Sequence, residues 1–328
     1  MIILGIEGSA NKLGVGIMRD DEILVNLRRT YVPPAGEGFI PLKAAEYHRE
    51  NIIPLLEEAL NIAGLEMKDI DLLCYTRGPG MQLSLLVAVT VMRTLSILYK
   101  LPLIPVNHCI AHIEMGRLVT KAENPIILYV SGGNTQIIAY SDRRYKIFGE
   151  TIDIAVGNCL DKFARVLSLD NYPSPGFSIE TLAKLGKNYI EMPYTIKGMD
   201  MSFSGILSHV KKISEKHSKE DLCYSVQETI FSILVEGTER CLSLTGSTEV
   251  LIVGGVGCNS RLQEMMENMI KNRKGTLYSM DDRFCIDNGA MIAYTGYLMY
   301  KSGIRSTIKE CDVTQRFRTD SVEIAWRE

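Results

Sequence analysis

Short apolar runs alternate along the chain with stretches in which apolar residues recur at helical spacing. Ile2–Glu7 and Ile126–Val130 have the pattern of buried strands, whereas Ala44–Ala63 has the pattern of a helix and stops at Gly64. This alternation predicts an α/β fold. The remaining predicted elements are strands at Leu13–Met18, Glu22–Thr30, Asp71–Thr76, Leu101–Val106 and Gln136–Tyr140, and helices at Leu83–Tyr99, His108–Arg117 and Arg261–Met269.

The same pattern restarts in the second half of the chain. The strand and glycine turn of Ile3–Ser9 have a counterpart in Ile127–Gly133, and Asp71–Gly80 with its following helix has a counterpart in Glu249–Gly257. Two matched pairs in the same order favour two similar α/β halves, although strand–glycine–helix units also recur by chance in such chains. Two packed halves would leave a cleft between them, where ligands commonly bind.

Composition narrows the class of protein. Of the 328 residues, 46% are hydrophobic and 23% are charged, which is ordinary for a globular protein and excludes long disorder and fibrous architecture. With 36 basic and 39 acidic residues the net charge is −3, so the chain is not a globally basic nucleic-acid coat. Any contact with RNA must therefore come from local patches or from partners.

The cysteines and the apolar runs bear on the compartment. None of the 8 cysteines stands in a Cys-x-x-Cys pair, which disfavours a zinc ribbon and a thioredoxin-like site. Met1–Ile6 has the pattern of a strand without the basic region of a signal peptide. The longest apolar run, Leu83–Met92, is cut by Arg93 and is too short to span a bilayer. These features predict a reduced, soluble, intracellular protein that does not enter membranes.

Two glycine-rich turns are candidates for binding an anion. Ser131–Thr135 lies between two predicted strands, where glycines let backbone N–H groups approach a phosphate and hydroxyls add donors. Gly254–Asn259 follows a strand and opens a helix, which adds the positive end of that helix. Neither turn is a Walker A loop, and each alone is also compatible with a simple tight turn. Together they favour a nucleotide in the cleft.

The sharpest local signal is the pair His108 and His112. At a spacing of four on a helix, the two side chains share one face and lie close enough to bind one metal ion. A zinc peptidase needs a glutamate directly after the first histidine as general base, and Cys109 stands there instead. Further ligands must come from elsewhere, with Tyr129 and Asp287 as candidates; two unconnected histidines remain the alternative. Imidazole, phenolate and carboxylate together suit iron or zinc better than magnesium.

Other polar positions admit plainer interpretations. Asp161, in the helix start Gly157–Lys162, either binds a ribose hydroxyl or caps the helix. Glu180 is favourable in the first turn of a helix on dipole grounds alone, and the serines of Met199–Gly205 are typical of a helix cap. The positions that fit an ordinary core or solvated surface are His48, His209, His217, Lys211, Lys212, Lys271–Lys274, Arg316 and Arg318.

Taken together, these residues resemble one family, the universal tRNA adenosine threonylcarbamoyltransferases, once labelled O-sialoglycoprotein endopeptidases. The resemblance covers essentially the whole chain, from Ile3 to Trp326. The matching segments are Asn107–Arg117, Tyr129–Gln136, Gly157–Lys162, Met199–Gly205, Gly254–Asn259 and Cys285–Ala290, while Pro173–Glu180 and Val313–Asp320 are similar to the eukaryotic cytosolic branch.

The resemblance implies an α/β fold of duplicated ribonuclease-H-like halves, as in the sugar kinase, actin and chaperone-ATPase superfamily. The first half would comprise residues 1–119 plus about 290–328, and the second residues 120–289, which would carry most nucleotide contacts. One departure from the superfamily is Glu7, which stands where sugar kinases carry an Asp that handles metal and γ-phosphate. This difference is evidence against a kinase.

The implied activity is transfer of a threonylcarbamoyl group from threonylcarbamoyl-AMP to N6 of the adenosine 3′ to the anticodon, in tRNAs reading codons that begin with A. In eukaryotes the family supplies the catalytic subunit of the KEOPS complex. Its implied partners are a small protein kinase-like ATPase, a dimerising subunit and a regulatory subunit, in the cytoplasm and nucleus. The alternatives are a chaperone-like ATPase or scaffold of the same fold, or a metallopeptidase.

The resemblance also implies site residues. One divalent metal ion, iron or zinc, would bind His108, His112, Tyr129 and Asp287. The implied nucleotide and substrate contacts are Tyr129, Val130, Ser131, Gly132, Gly133, Asp161, Gly176, Glu180 and Asn259. No residue stands out as a general base. The turn Pro173–Glu180 is one residue shorter than the family's Pro-Gly-Gly-Pro version, so Gly176 and Glu180 are kept while the path of the turn stays open.

Overall fold

A mixed sheet is built from the first part of the chain. The computed structural model describes residues 1–34 and 37–327. The strands of this sheet are β1 (Ile2–Glu7), β2 (Lys12–Arg19), β3 (Glu22–Thr30), β4 (Leu72–Gly78) and β5 (Leu103–Asn107). Their order is β3-β2-β1-β4-β5. Strand β1 pairs antiparallel with β2 and parallel with β4, and β5 continues parallel beyond β4.

A second mixed sheet repeats this arrangement. The further strands are β6 (Ile126–Val130), β7 (Thr135–Ser141), β8 (Arg144–Glu150), the short ribbon β9 (Ile196–Lys197) and β10 (Asp200–Met201), β11 (Glu249–Val253) and β12 (Thr276–Tyr278). The second sheet has the order β12-β11-β6-β7-β8. Strands β6 to β8 take the places of β1 to β3, and β11 and β12 those of β4 and β5. The predicted α/β fold with two similar halves is confirmed.

The helices cover these sheets. They are α1 (Pro41–Ala63), α2 (Gln82–Tyr99), α3 (His108–Thr120), α4 (Val156–Val166), α5 (Pro175–Ala183), α6 (Ser204–Ile213), α7 (Lys219–Thr245), α8 (Ser260–Asn272), α9 (Asp282–Cys285) and α10 (Gly289–Lys301). Helix α1 shows how the sequence sets their limits. Pro41 provides the fixed φ of the first turn, and Gly64 ends the helix at φ 65°, a left-handed conformation that glycine adopts without strain.

Glycines bring helix α10 into direct contact with the first sheet. A Cβ on Gly16 would lie 2.1 Å from the backbone N of Ala290, and a Cβ on Gly289 would lie 2.1 Å from the backbone N of Gly16. A Cβ on Gly5 would likewise lie 2.4 Å from the backbone N of Ala293. This close approach is possible only without side chains. It holds the residues just before α10 against strands β1 and β2.

Helix α2 differs from the expectation that its apolar run is too short for a bilayer. By length and composition alone, the whole of Gln82–Tyr99 would reach across a membrane. A core helix passes the same test. Helix α2 buries Leu85, Ala88 and Met92, and Ala88 and Met92 belong to the hydrophobic cluster that also contains Leu4 and Ile6 of β1.

The 311–327 segment crosses from one sheet to the other. Near its start, Tyr75 of β4 donates to the carbonyl of Asp312 (2.8 Å). Farther along, the hydroxyl of Thr319 donates to the side chain of Gln136 in β7 (3.0 Å), and the backbone N–H of Ile324 donates to the carbonyl of Arg143 (2.9 Å). The predicted division into residues 1–119 plus 290–328 and residues 120–289 stays a prediction. Of its first part, residues 35, 36 and 328 lie outside the described residues.

Candidate metal centre and adjoining glycine loops

Helix α3 carries the two histidines from a defined starting point. Asn107 is the last residue of β5, and its Oδ1 accepts hydrogen bonds from the backbone N–H groups of Cys109 (2.9 Å) and Ile110 (3.1 Å). This N-cap fixes where the helix begins. His108 therefore stands in the first turn and His112 one turn later, with ring centroids 4.8 Å apart.

Asp287 meets both histidines from the segment that α10 holds against the first sheet. Its Oδ1 lies 3.1 Å from Nε2 of His112 and 3.5 Å from Nε2 of His108. One ligand atom from each residue lies within 4.8 Å of the others. The three side chains are shielded from water, with exposed fractions of 7%, 0% and 13% for His108, His112 and Asp287. Two imidazoles and a carboxylate that converge in this way can hold one divalent metal ion.

The phenol of Tyr129 lies beside this group. Tyr129 belongs to β6, is fully buried, and has its ring centroid 5.5 Å from that of His112. Within residues 1–34 and 37–327, its hydroxyl has no hydrogen-bond partner. A buried polar group without a partner is unfavourable, and a bound cation would relieve that penalty. The donor set therefore fits a metal ion, with Tyr129 as a fourth potential ligand.

Two charged side chains of the first sheet complete the surroundings. Glu7, at the end of β1, is fully buried and places Oε2 3.0 Å from Nδ1 of His108. Lys12, at the start of β2, places Nζ 3.4 Å from Oδ2 of Asp287. Neither residue was predicted from the sequence to belong to the metal site. Their positions at strand ends become a signal only once the sheet order and the place of α10 are known.

These contacts set the charge state of the group. Burial alone would raise the pKa of Asp287, but Lys12 and the two histidines hold that pKa well below its usual range. Burial alone would lower the pKa of His108, but Glu7 and Asp287 raise it well above its ordinary value. Burial lowers the pKa of His112 and raises that of Tyr129. A ligating imidazole must be neutral, so binding of a cation here would release a proton from His108.

The turn between β6 and β7, residues 131–135, forms the first glycine loop. The backbone N–H of Ser131 donates to the carbonyl of Asn134 (2.8 Å), which closes the turn. Gly132 and Gly133 are exposed, and an added Cβ at either would meet no atom within 4 Å. The loop therefore borders open space at both glycines, where an anion can approach the backbone. Val130, directly before the loop, is fully buried.

The second glycine loop, residues 254–259, packs against the end of β6, directly before the first loop. Gly254 has φ 91°, and a Cβ there would lie 2.4 Å from the carbonyl O of Val130 and 3.1 Å from the ring of Tyr129. At the end of the loop, Oδ1 of Asn259 accepts from the backbone N–H of Arg261 (2.9 Å) and caps α8. The side chain of Asn259 thus fixes the start of α8, and its contact with a nucleotide stays a prediction.

Asp161, in α4, lies close to the same charges. Burial raises the pKa of its carboxyl to about 6, while Lys12 and Arg165 act in the opposite direction. A Cβ on Gly157 would lie 2.6 Å from the carbonyl O of Ser131, so α4 packs directly against the first glycine loop. Because Lys12 also contacts Asp287, the same ammonium group acts electrostatically on both Asp161 and the metal group.

Glu180 lies beyond the first turn of α5. The expectation that it lies in the first turn of its helix is wrong, since α5 begins at Pro175 and has no acidic residue in its first turn. Its carboxylate instead accepts from the backbone N–H (3.2 Å) and the hydroxyl of Ser260, at the start of α8. The negative charge thus stabilises the N-terminus of another helix. Gly176, in the first turn of α5, has open space where a Cβ would be.

Comparison with known proteins adds the family. Residues 22–294 match the family model described as tRNA N6-adenosine threonylcarbamoyltransferase. A protein of that name from Encephalitozoon cuniculi is 66% identical, with all of both chains covered. The human protein of that name is 58% identical, with 99% of each chain covered.

Solved structures with the same fold are more distant. HypF from T. kodakarensis matches with a TM-score of 0.63 and 15% identity, covering 92% of this chain and 48% of that one. Component A of the (R)-2-hydroxyglutaryl-CoA dehydratase of Acidaminococcus fermentans matches with a TM-score of 0.56 and 13% identity, covering 90% and 98%. At these identities the likeness concerns the fold alone, and it agrees with the predicted superfamily.

Proposed function

The chain belongs to the tRNA N6-adenosine threonylcarbamoyltransferase family, and we propose that it uses threonylcarbamoyl-AMP as donor and N6 of the adenosine 3′ to the anticodon as acceptor, in tRNAs reading codons that begin with A. It is an enzyme, a transferase that acts on tRNA. One observation carries the finer proposal. His108, His112 and Asp287 converge next to glycine loops that leave open space for an anion.

One divalent metal ion, iron or zinc, would be held by His108, His112, Asp287 and Tyr129. When bound, the ion would supply a Lewis acid that anchors or polarises the threonylcarbamoyl end of the donor. The donor set supports this choice, because imidazole and phenolate are softer ligands than magnesium prefers. Cys109 is buried and offers no carboxylate, so the group lacks the general base of a peptidase with this histidine spacing.

The glycine loops suit the leaving group. In the transfer, N6 of the acceptor forms a bond to the carbonyl carbon of the donor and loses one proton to water, while the bond from that carbon to the phosphate oxygen breaks and AMP leaves. The hydroxyl of Ser131 and the backbone N–H groups of Gly132 and Gly133 would stabilise negative charge on the carbonyl or phosphate oxygens. Donors already fixed in the turn need no reorganisation during the reaction. We assign no residue as general base.

The adenosine part of the donor would lie against the helices of the second half. Its proposed contacts are Asp161, Gly176, Glu180 and Asn259, with Tyr129 and Val130 at the strand end before the first loop. The support is their arrangement, because α4 packs against the first glycine loop and Glu180 adjoins the start of α8 next to Asn259. The acceptor base would have to leave the stack of the anticodon loop to reach the cleft.

We also propose that the enzyme works as the catalytic subunit of the KEOPS complex, in the cytoplasm and nucleus. Its partners would be the small protein kinase-like ATPase, the dimerising subunit and the regulatory subunit. Two features support an assembled enzyme. The net charge of −3 gives no long-range attraction to a polyanion. Helix α1 leaves Ile53 and Ile62 45% and 60% exposed, and we propose that it forms part of a surface that faces a partner.

A reconstituted reaction tests the proposal. The purified chain, with and without the partner subunits, is incubated with synthetic threonylcarbamoyl-AMP and a tRNA, and the digested nucleosides are analysed by mass spectrometry. We expect threonylcarbamoyladenosine with this tRNA and none with a matched tRNA whose target adenosine is replaced by guanosine, which lacks the N6 amine. Donor breakdown with no modified nucleoside, in the presence of all partners, would contradict the proposal.

A further inference from the structure

We propose that Glu7 is a positioning residue of the metal centre, whose carboxylate holds Nδ1 of His108 so that Nε2 faces the position shared with His112 and Asp287. The inference deepens the proposed function and rests on the metal centre described there. It also gives a reason for the glutamate at the end of β1.

The carboxylate of Glu7 is held from three sides. Its Oε1 accepts from the backbone N–H of Ser9 (2.7 Å), and its Oε2 accepts from the hydroxyl of Thr76 and lies 3.0 Å from Nδ1 of His108. The parallel pairing of Ile6 with Tyr75 places Glu7 and Thr76 side by side at the ends of β1 and β4. Glu7 and Thr76 are both fully buried. The side chain therefore has a fixed place before any metal binds.

An ionised carboxylate can only accept hydrogen bonds, so Nδ1 of His108 must carry the hydrogen. In a neutral imidazole the lone pair is then on Nε2, the nitrogen that lies 3.5 Å from Oδ1 of Asp287. A carboxylate on the far nitrogen also orients the ring and makes it a better ligand. The geometry at both nitrogens thus agrees with one direction of metal binding.

The second histidine has no such support. Within residues 1–34 and 37–327, Nδ1 of His112 is buried without a hydrogen-bond partner. Its ring is instead placed by its neighbours, with centroids 4.8 Å from His108 and 5.5 Å from Tyr129. Glu7 therefore acts on one of the two imidazoles, and changes at Glu7 are expected to weaken metal binding without abolishing it.

Zinc affinity of the full-length chain, measured by competition with a chromophoric chelator, tests this role without tRNA or donor. We expect Glu7→Ala to lower the affinity about 10- to 100-fold, the usual effect of removing such a partner. Glu7→Gln can still accept through its amide oxygen and should retain more of the affinity than Glu7→Ala. Glu114→Gln is the matched control. Glu114 is a buried carboxylate of α3, the helix that carries His108, and it accepts hydrogen bonds from Tyr145 (2.6 Å) and Arg117 (2.8 Å). Its change should leave zinc affinity within about twofold.

A second measurement uses the wild-type chain and does not depend on how a variant folds. In the zinc-loaded protein, ¹⁵N chemical shifts of the imidazoles should show His108 protonated at Nδ1 and coordinated through Nε2. Coordination through Nδ1, or unchanged zinc affinity in both Glu7 variants, would overturn the inference and leave the proposed function standing. Zinc binding that survives in a chain carrying both His112→Ala and Asp287→Ala would overturn the metal centre itself.

Discussion

Lys12 and Asp287 lie 275 positions apart in the chain, and Nζ of the lysine is 3.4 Å from Oδ2 of the aspartate. The lysine comes from the start of β2, and the aspartate from the segment just before α10. The same ammonium group also opposes the rise that burial causes in the pKa of Asp161 in α4. One cation thus acts on both the candidate metal ligands and a candidate nucleotide contact.

Lys12→Met should raise zinc affinity several-fold. The ammonium group competes with a metal ion for Asp287, and two positive charges a few ångströms apart repel each other. Chelator competition at pH 7 measures the change, with Lys12→Arg as a control that keeps the charge. Weaker zinc binding by Lys12→Met would mean that the lysine orients Asp287 rather than competing for it.

His108→Ala and Asp287→Ala should lose bound metal and most transfer activity while staying folded. Each change removes one ligand of a group that has at most four. Elemental analysis of the purified variants measures the metal, and circular dichroism measures the fold. His209→Ala is a suitable control, because His209 lies on α6 and is only half-buried. Full metal occupancy in His108→Ala would refute the assignment.

Asp161 should make stability depend on pH between about 4 and 6. Its pKa is about 6 in the folded chain against an ordinary 3.8, so the folded state binds the proton more tightly and this contribution to stability is lost as pH rises through 6. At pH 8, Asp161→Asn should therefore raise the free energy of unfolding by on the order of 1–2 kcal/mol. At pH 4 the variant and the wild type should differ little. Urea unfolding at both pH values measures this. An equal difference at the two pH values would rule out the titration of Asp161 as the cause.

Gly133→Val should fold normally and bind AMP at least tenfold more weakly. An added side chain meets no protein atom within 4 Å, so the free energy of unfolding should change by less than about 0.5 kcal/mol, while a branched side chain would fill the space before the backbone N–H groups. Calorimetry and thermal unfolding measure the two effects. Gly289→Ala is the opposite case, since its Cβ would lie 2.1 Å from a backbone nitrogen and should destabilise the fold by about 1–3 kcal/mol.

The isolated chain should bind tRNA weakly and with a steep dependence on salt. A net charge of −3 supplies no general attraction, and the clusters at Lys211–Lys212 and Lys271–Lys274 are too small for many phosphate contacts. Affinity should rise once partner subunits add positive surface. The measurement is tRNA affinity at fixed salt with and without the kinase-like and dimerising subunits. Equal affinity in both cases would show the argument from charge to be wrong.

Local chemistry predicted much of the fold. The N-cap Asn107, the stop at Gly64 and the strand–glycine turn at Ile127–Gly133 all act within a few residues, so their signals can be read from the chain. Helix α6 does start within Met199–Gly205, but the expectation that its serines form the cap is wrong. Its N-cap residue Phe203 makes no side-chain cap, and the carboxylate of Asp153 accepts from the backbone N–H groups of Phe203 and Ser204 (3.1 Å each).

The candidate site also combines local features, which the sequence predicts, with contacts that only the fold creates. The spacing of His108 and His112 is a property of one helix, and it predicted a metal site on that helix. Lys12 and Glu7 contact this group only because close glycine packing seats α10 on β1 and β2 and because β1 lies next to β4. Contacts that depend on sheet order have no periodicity in the sequence. The contact between the carboxylate of Glu180 in α5 and the start of α8 likewise depends on how the helices pack, and no spacing in the sequence predicts it.

The path of the 311–327 segment gives the protein an optical property. Trp326 is the only tryptophan, and it packs against the hydrophobic cluster that contains Ile324 and Tyr129. That cluster joins Ile110 and Ile113 of α3, the helix after β5, to residues of the second sheet, so the packing around the indole depends on the relative position of the two sheets. Indole emission shifts with the polarity around the ring. The unlabelled chain thus carries its own fluorescent reporter of movement between the two sheets.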